Sequence, residues 1–204
     1  MPTFATWNPA DNSGCVLTNG NLTAEGSGAG FADTDDVRGT IFKSAGKLYC
    51  EFTLNTAPEG SDAPRLGIAN TTHSITSDGG DDANSWMYES GGTKRNNANR
   101  TAYGAIFTTN DVISMLFDID TGSLSFWKNG VDQGVAFTGL SGSFAPLFTA
   151  FNASRTTVNF GATAFAYTPP GGYSNWTSDE GLAITVPPTV QLGGGAMLTV
   201  TTPA

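Results

Sequence analysis

The chain has 204 residues, of which 13% are charged, and its net charge is −9. This length is enough for one large domain with its own hydrophobic core. The acidic balance excludes a general nucleic-acid binder, which needs a basic face. Strong helix formers such as Glu and Lys are scarce, whereas Thr, Gly and Asn, which favour strands and turns, are abundant. The composition therefore predicts an all-β protein.

The sequence shows neither an export signal nor a membrane span. Its first residues lack the basic segment and the apolar stretch of a signal peptide. No apolar run approaches the roughly 20 residues that cross a bilayer. We therefore expect a protein that is made in the cytoplasm without a signal peptide and does not insert into membranes.

Short apolar or alternating runs recur at intervals of about 8–12 residues between turn-forming residues, which is typical of β-sandwiches and barrels. The predicted strands are 14–18, 21–26, 37–43, 46–54, 65–69, 84–89, 101–106, 111–119, 123–128, 131–137, 145–151 and 156–161. Three long polar segments rich in Gly or Asn are predicted to be loops that bind a partner or are mobile. These loops are 55–64, 70–83 and 90–100.

The clearest local prediction is a β-hairpin centred on Asn129-Gly130. These two residues favour the positive φ angles of a type I′ turn, and the runs 123–128 and 131–137 flank them. The preceding run 111–119 has apolar side chains on both faces. We therefore expect a central strand that is covered on both sides.

The cysteines and the single histidine predict no reactive centre. Cys50 lies in an alternating apolar run and is predicted to be a buried thiol. Cys15 can pair with it, but nothing in the sequence marks an oxidising compartment. His73 lies in the polar loop 70–83, where a solvated imidazole is expected rather than a general base. The sequence therefore predicts no catalytic residue, no cofactor and no metal site.

Two groups of aspartates are candidate ligands for calcium or another cation. Asp118 and Asp120 are expected to cap a turn instead, because no Glu follows them at EF-hand spacing. Asp78, Asp81 and Asp82 are expected to belong to a solvated loop, with a cation site as the alternative.

Motifs spread along most of the chain occur in the order of a known family. They are the opening segments 6–11 and 17–23, the runs 37–40 and 44–52, the hairpin region 111–137, and the closing segments 145–147 and 158–161. Together they resemble the SPRY domain, in the version found in bacteriophage and bacterial proteins, although Cys50 stands where a second aromatic residue is more usual. The resemblance implies a non-catalytic, concanavalin-like β-sandwich of two antiparallel sheets that grips a partner with loops at one edge. It also implies that Phe126 and Trp127 are packing residues rather than a ligand cage.

The resemblance divides the chain into a SPRY-like sandwich, 1–176, and a short C-terminal β extension, 177–204. Residues 181–204 have no charged side chain and are predicted to form two short strands separated by Gly193–Gly195. Such a segment exposes apolar surface unless it is paired. We therefore expect it to add strands to another subunit and to give a homo-oligomer, and the alternative is that it folds back over its own sandwich.

A basic segment stands out in this acidic chain, because three of its nine basic residues fall within 94–100. Aromatic residues are predicted on the flanking strands. The resulting candidate binding residues are Trp86, Tyr88, Lys94, Arg95, Asn97, Arg100 and Tyr103. Basic, amide and aromatic side chains suit an anionic glycan of a host surface or an acidic patch of a protein. The alternative is a basic loop tip that serves solubility.

The favoured functional hypothesis is a non-enzymatic bacteriophage virion protein on the tail or head. It would contact other virion proteins through its C-terminal extension and a host surface through its loops, and its location would be the virion. The first alternative is a bacterial adaptor that binds a peptide motif. A carbohydrate-active enzyme is a minor alternative, which the scattered positions of the glutamates disfavour.

Overall fold

The computed structural model describes residues 3–28, 34–57 and 64–178, and its regular elements there are all strands. They are β1 (Trp7–Asn12), β2 (Val16–Thr18), β3 (Thr23–Glu25), β4 (Thr34–Gly39), β5 (Lys47–Thr56), β6 (Arg65–Asn70), β7 (Ser85–Glu89), β8 (Thr93–Asn96), β9 (Asn99–Ala102), β10 (Val112–Asp118), β11 (Ser123–Lys128), β12 (Val131–Phe137), β13 (Phe144–Phe151), β14 (Arg155–Asn159) and β15 (Ser174–Asn175). No helix within these ranges is long and apolar enough to cross a membrane.

The strands form two sheets, which confirms the predicted all-β sandwich. The seven-stranded sheet has the order β1-β4-β13-β6-β7-β8-β9. The eight-stranded sheet has the order β12-β11-β10-β5-β14-β3-β2, and β15 pairs with β5 beside it. Pairing is antiparallel except for the two-residue contact between β15 and β5. The inner faces of both sheets supply one continuous apolar core.

Aromatic side chains dominate the core. Trp7 is fully buried, and its ring centroid lies 6.2 Å from that of Phe52, 6.3 Å from that of Phe148 and 5.7 Å from that of Phe160. These residues come from both sheets, so the cluster holds the sheets together. Trp176 is also fully buried, and its backbone N–H donates to the Phe160 carbonyl.

The predicted hairpin is confirmed. Asn129 and Gly130 have φ angles of 49° and 77°, and β11 pairs with β12 on either side of them. β10 lies between β5 and β11, as expected for a central strand. Asp118 caps this turn as predicted, because it accepts a hydrogen bond from the Thr121 N–H. Asp120 instead accepts one from the Gly46 N–H of a distant segment.

The two packing residues of this hairpin differ in burial because they lie on opposite faces of β11. Phe126 is fully buried in the core. Trp127 points to the outer face and is half-buried. Phe126 is therefore a core residue, and Trp127 packs on the outer face of the sheet.

The structure differs from the predicted strands in the polar regions. β4 ends at Gly39 rather than at residue 43, and β9 covers Asn99–Ala102 rather than 101–106. The predicted loop 90–100 is instead a hairpin formed by β8 and β9. Its turn residues, Asn97 and Ala98, both have positive φ angles, 52° and 57°. The pattern of alternating hydrophobic residues does not predict this hairpin, because its strands contain no large apolar residue.

Both cysteines are buried free thiols, which confirms the prediction for Cys50 and shows that it is not bonded to Cys15. Burial raises the pKa of each thiol well above its usual range. At the start of the C-terminal extension, Thr177 forms an isolated antiparallel β-bridge with Phe4, and the Ser178 N–H donates to the Thr3 carbonyl. The predicted tail strands and most of the predicted loop 55–64 lie outside the described residues.

Candidate functional site

The loop 70–83 packs on the outer face of the seven-stranded sheet. His73 is central to this packing, because its side chain is buried between two carboxylates from different segments. Its Nε2 lies 3.1 Å from Asp36 on β4, and its Nδ1 lies 2.9 Å from Asp82 at the far end of the same loop. The prediction of a solvated histidine is therefore wrong. With both ring nitrogens occupied, His73 is an anchor for the loop rather than a base for a substrate.

Burial and hydrogen bonding act against each other on the charges of this group. Burial alone would lower the pKa of His73, but its hydrogen bonds to Asp36 and Asp82 outweigh that effect and raise the pKa above 6.5. Burial raises the pKa of Asp36. Burial alone would raise the pKa of Asp82, but hydrogen bonds from His73 and from the residues that follow Asp82 in the sequence outweigh burial and lower this pKa. The imidazolium form of His73 is therefore favoured in the folded protein.

The raised pKa of His73 predicts a pH-dependent effect of replacing this residue by asparagine. Because the pKa of His73 in the folded state lies above 6.5, the charged ring stabilises the fold fully below about pH 6.5. That contribution fades as the pH rises through the raised pKa. Urea unfolding of wild type and His73→Asn should therefore give a larger difference in unfolding free energy near pH 5.5 than near pH 8.5.

The exposed neighbour Thr72 provides the control for this experiment. Thr72→Asn should follow the pH profile of the wild type, because the Thr72 side chain lies in solvent. A difference between wild type and His73→Asn that stays constant from about pH 5.5 to 8.5 would contradict the assigned charge state.

Two arginines hold the backbone at both ends of the same loop. Arg38 on β4 donates from Nη1 to the Asn70 carbonyl at 2.7 Å and to the His73 carbonyl at 3.2 Å. Arg65 on β6 donates to the Gly79 carbonyl at 2.8 Å. A long polar loop without such contacts would have low local stability. Here, buried arginines bind the backbone of the loop at its start and toward its end.

A buried carboxylate joins this loop to the β8–β9 hairpin. Glu89 on β7 is fully buried, and its oxygens lie 3.1 Å from Arg65 Nε, 3.8 Å from Arg95 Nη1 and 2.7 Å from Arg100 Nε. Arg95 also pairs with Asp81 of the loop. The two arginines of the predicted basic segment are therefore paired with acidic residues of the chain, and the prediction of a solvated acidic loop is wrong for Asp81 and Asp82.

The turn of the β8–β9 hairpin is bonded to the loop directly. The Asn97 N–H donates to the Asp82 carbonyl at 2.8 Å, and the Ala98 N–H donates to the Gly80 carbonyl at 2.9 Å. The two segments therefore form one continuous surface. We use the name crest for six solvent-exposed residues of this surface, which are Thr71, Thr72, Ser74, Thr76, Asn97 and Ala98.

The aromatic and lysine residues predicted to bind a ligand lie on the opposite side of the hairpin. Tyr103 donates its hydroxyl to the Gly134 carbonyl at 2.6 Å, and Lys94 donates to the Ala136 carbonyl. Both acceptors belong to β12, which is an edge strand. These side chains therefore cover a sheet edge that would otherwise be open to pairing with another chain.

The remaining predicted residues are divided between the core and the crest. Tyr88 is fully buried and donates to the Ala105 carbonyl. Trp86 is half-buried, with its ring edge-on to that of Phe144 at 5.5 Å. Of the seven predicted binding residues, Asn97 alone belongs to the crest. The structure thus brings the seven together around one hairpin, but six of their side chains have partners within the chain.

Sequence reasoning missed the anchoring residues, although the sequence contained a usable signal for some of them. Asp36 and Arg38 are two residues apart on one strand, with the buried Val37 between them. Charges at that spacing share one face of a strand. A charged face opposite the core indicates that something polar covers it, but does not say which segment does so.

Comparisons with known proteins agree on the family of this fold. A family model described as the SPRY domain matches residues 47–163. The SPRY domain of human HERC1 superposes with a TM-score of 0.66, with 17% identity over 78% of this chain and 99% of that structure. This likeness establishes the fold.

Similar sequences occur within much larger eukaryotic proteins. The chain is 32% identical to the ATP-dependent RNA helicase Ddx1 of Drosophila melanogaster over 66% of its length, and 28% identical to the E3 ubiquitin-protein ligase RKP of Arabidopsis thaliana over 64%. It is 27% identical to the Ran-binding protein 9 of Xenopus laevis over 87%. The matched regions make up 18%, 11% and 34% of those three proteins. These relatives lend no support to the bacteriophage version of the family.

Proposed function

Because this chain belongs to the SPRY domain family, as its match over residues 47–163 shows, we propose that it binds a peptide segment of a partner protein at the crest. SPRY domains generally bind proteins and are not themselves enzymes. The regions matched in the helicase, the ligase and the Ran-binding protein form minor parts of those chains. This is the distribution expected of a recognition module rather than of a catalytic unit.

The observation that carries this proposal is the anchored crest. Its hydroxyl and amide side chains are exposed, while His73, Arg38 and Arg65 hold the backbone beneath them. A surface whose backbone is already ordered loses less conformational entropy on binding. Exposed hydroxyls and amides are suited to hydrogen bonds with the main chain of an extended peptide.

The distribution of charge favours a protein partner over an anionic glycan. Arg95 and Arg100 are paired with acidic residues of the chain, and Lys94 donates to a carbonyl. The cations that suggested an anionic ligand are therefore already bound within the domain. The proposed partner is a neutral or mildly polar peptide segment.

The hypothesis of a virion protein differs in its biological setting, not in the chemistry of the crest. Assembly through residues 177–204, a homo-oligomeric state, contact with other virion proteins and location in the virion all stay predictions. Neighbouring genes that encode capsid, portal or tail proteins would support them. Neighbours of another kind would favour an adaptor.

A selection from a random displayed peptide library tests the crest. We expect enriched peptides to bind the wild-type chain and to lose at least about tenfold in affinity on Thr72→Arg/Thr76→Arg, because large charged side chains block the surface. The matched control is Thr56→Arg/Thr108→Arg. It adds the same charge at two exposed threonines, one at the C-terminal end of β5 and one just before β10, which lie at the same end of this antiparallel pair.

Titration calorimetry with the enriched peptides gives the readout, and thermal melts confirm that both variants are folded. Peptides that bind the crest variant as tightly as they bind the control would overturn the proposed site. A library that yields no specific binder would count against peptide recognition altogether.

A further inference from the structure

The ring of His73, the one histidine of the sequence, lies between two carboxylates that differ in their surroundings. Asp36 lies on β4 beneath the loop, and 2% of its side chain is exposed. Asp82 lies at the far end of the loop, and 24% of its side chain is exposed. The imidazolium form donates to both carboxylates, through Nε2 and through Nδ1. The neutral form has one N–H and can donate to only one of them.

The surroundings of the two carboxylates decide which proton is lost. Asp82 keeps other donors, because its Oδ1 accepts from the Asn84 N–H at 2.9 Å and from the Ser85 hydroxyl at 2.8 Å. Its exposed part is also hydrated by water. Asp36 has almost no access to water, so its carboxylate depends more on the Nε2 proton. Deprotonation of His73 therefore removes the Nδ1 proton and leaves a lone pair that faces Asp82 Oδ2.

The other charged groups around this cluster preserve that order. Arg38 on β4 donates to the main-chain carbonyl of His73, and it is itself paired with Asp11 on β1. Asp78 of the loop adds negative charge that opposes ionisation of Asp36. This repulsion strengthens the hold of Asp36 on the proton that it shares with Nε2.

Asp82 connects the imidazole ring to the turn of the β8–β9 hairpin. Its main-chain carbonyl accepts from the Asn97 N–H at 2.8 Å. A carboxylate that faces a lone pair at hydrogen-bond distance is repelled, and Asp82 is exposed enough to turn toward solvent. The near end of the loop does not depend on this contact, because Arg38 binds its backbone separately. Only the far end of the loop and the hairpin turn bonded to it are therefore expected to loosen.

We infer that the His73–Asp82 contact is a pH-sensitive switch of the crest, in which loss of the Nδ1 proton releases the far end of the loop together with the hairpin turn at Asn97. Because the pKa of His73 is raised, the contact is intact below about pH 6.5 and is lost as the pH rises through the raised value. The effect on a bound peptide rests on the proposed function. The switch itself can be measured without a peptide.

The first test follows the single histidine by NMR in the untagged full chain. Nitrogen chemical shifts of the ring give its pKa and should show, above that pKa, the tautomer that is protonated at Nε2. Hydrogen exchange is then measured about one pH unit below and above the pKa and is expressed as protection factors. We expect the protection factor of the Asn97 amide to fall by about tenfold or more at the higher pH, because a nearby charge-assisted hydrogen bond is lost. The Asn129 amide, which donates to Val112 in the other hairpin, should keep its protection.

Asp82→Asn tests the cause of this fall. An amide nitrogen in place of Oδ2 can donate to the neutral Nδ1, and the remaining oxygen can still accept from Asn84 and Ser85. The fall in protection should therefore vanish or reverse. The matched control is Asp132→Asn, which removes the same charge from an exposed residue of β12 and should behave as the wild type does. Constant protection in the wild type, an equal fall in Asp82→Asn, or a neutral ring protonated at Nδ1 would overturn the inference.

Peptide binding at the same two pH values separates the switch from the proposed function. The enriched peptides should bind the wild type about threefold or more weakly at the higher pH, because the loosened turn must be ordered again on binding. Their affinity for Asp82→Asn should not fall in this way. A pH-dependent protection factor together with a lack of any peptide binder would support the switch and contradict the proposed function. Equal affinity of the wild type at both pH values would overturn the control of the crest by His73.

Discussion

Replacing Glu89 by alanine should lower the free energy of unfolding by about 3–5 kcal/mol, because it leaves buried positive charge without its partner. The Glu89 side chain is fully buried and contacts Arg65, Arg95 and Arg100. Arg65 has little access to water, with 8% of its side chain exposed. Its guanidinium cannot recover by hydration what it loses when the carboxylate is removed.

Urea unfolding measures this effect, and an exposed ion pair provides the control. Glu25 and Arg155 lie 3.7 Å apart with 40% and 44% of their side chains exposed. Glu25→Ala should therefore cost less than about 1 kcal/mol. Similar losses for Glu89→Ala and Glu25→Ala would show that the buried network does not hold the hairpin in place.

The same contacts change what is expected when the basic segment is altered. If its cations were solvated, replacing Lys94, Arg95 and Arg100 by alanine would abolish binding and leave the thermal melt unchanged. In the structure, Arg95 and Arg100 neutralise Glu89, and Lys94 covers the edge of β12. The triple variant is therefore expected to lower the melting temperature, so it cannot separate binding from stability.

Phe126→Ala and Trp127→Ala should differ clearly in stability although the residues are adjacent. Phe126 is fully buried between the sheets, and deleting its ring should cost about 3–5 kcal/mol through lost burial and a residual cavity. Trp127 is half-buried on the outer face, and its loss should cost about 1–2 kcal/mol.

Chemical unfolding of the two variants under one set of conditions provides the comparison. Circular dichroism before unfolding checks that both variants keep the sheet structure. Equal costs, or a larger cost for Trp127→Ala, would contradict the assignment of the two faces of β11.

The sequence predicted the elements whose signal is local. The hairpin at Asn129-Gly130 depends on residues that favour positive φ angles, and strands such as β10 and β13 contain enough apolar residues to be recognised. The capping of the turn by Asp118 is local in the same sense, whereas Asp120 binds the Gly46 N–H, 74 residues away in sequence. Polar strands escaped this reasoning. β1 contains Pro9 at a sheet edge, and the β8–β9 hairpin has no apolar alternation.

The sequence by itself determined that this chain forms a β-sandwich with the motifs of a SPRY domain and that its basic segment lies next to aromatic strands. The tertiary structure alone decided what the charged residues do. His73 and Asp36 are 37 residues apart in sequence, and they meet because β4, β13 and β6 lie side by side and the loop after β6 folds over their outer face. Glu89 likewise gathers arginines from three strands. Strand order and register determine which distant charges become neighbours, and neither leaves a local pattern in the chain.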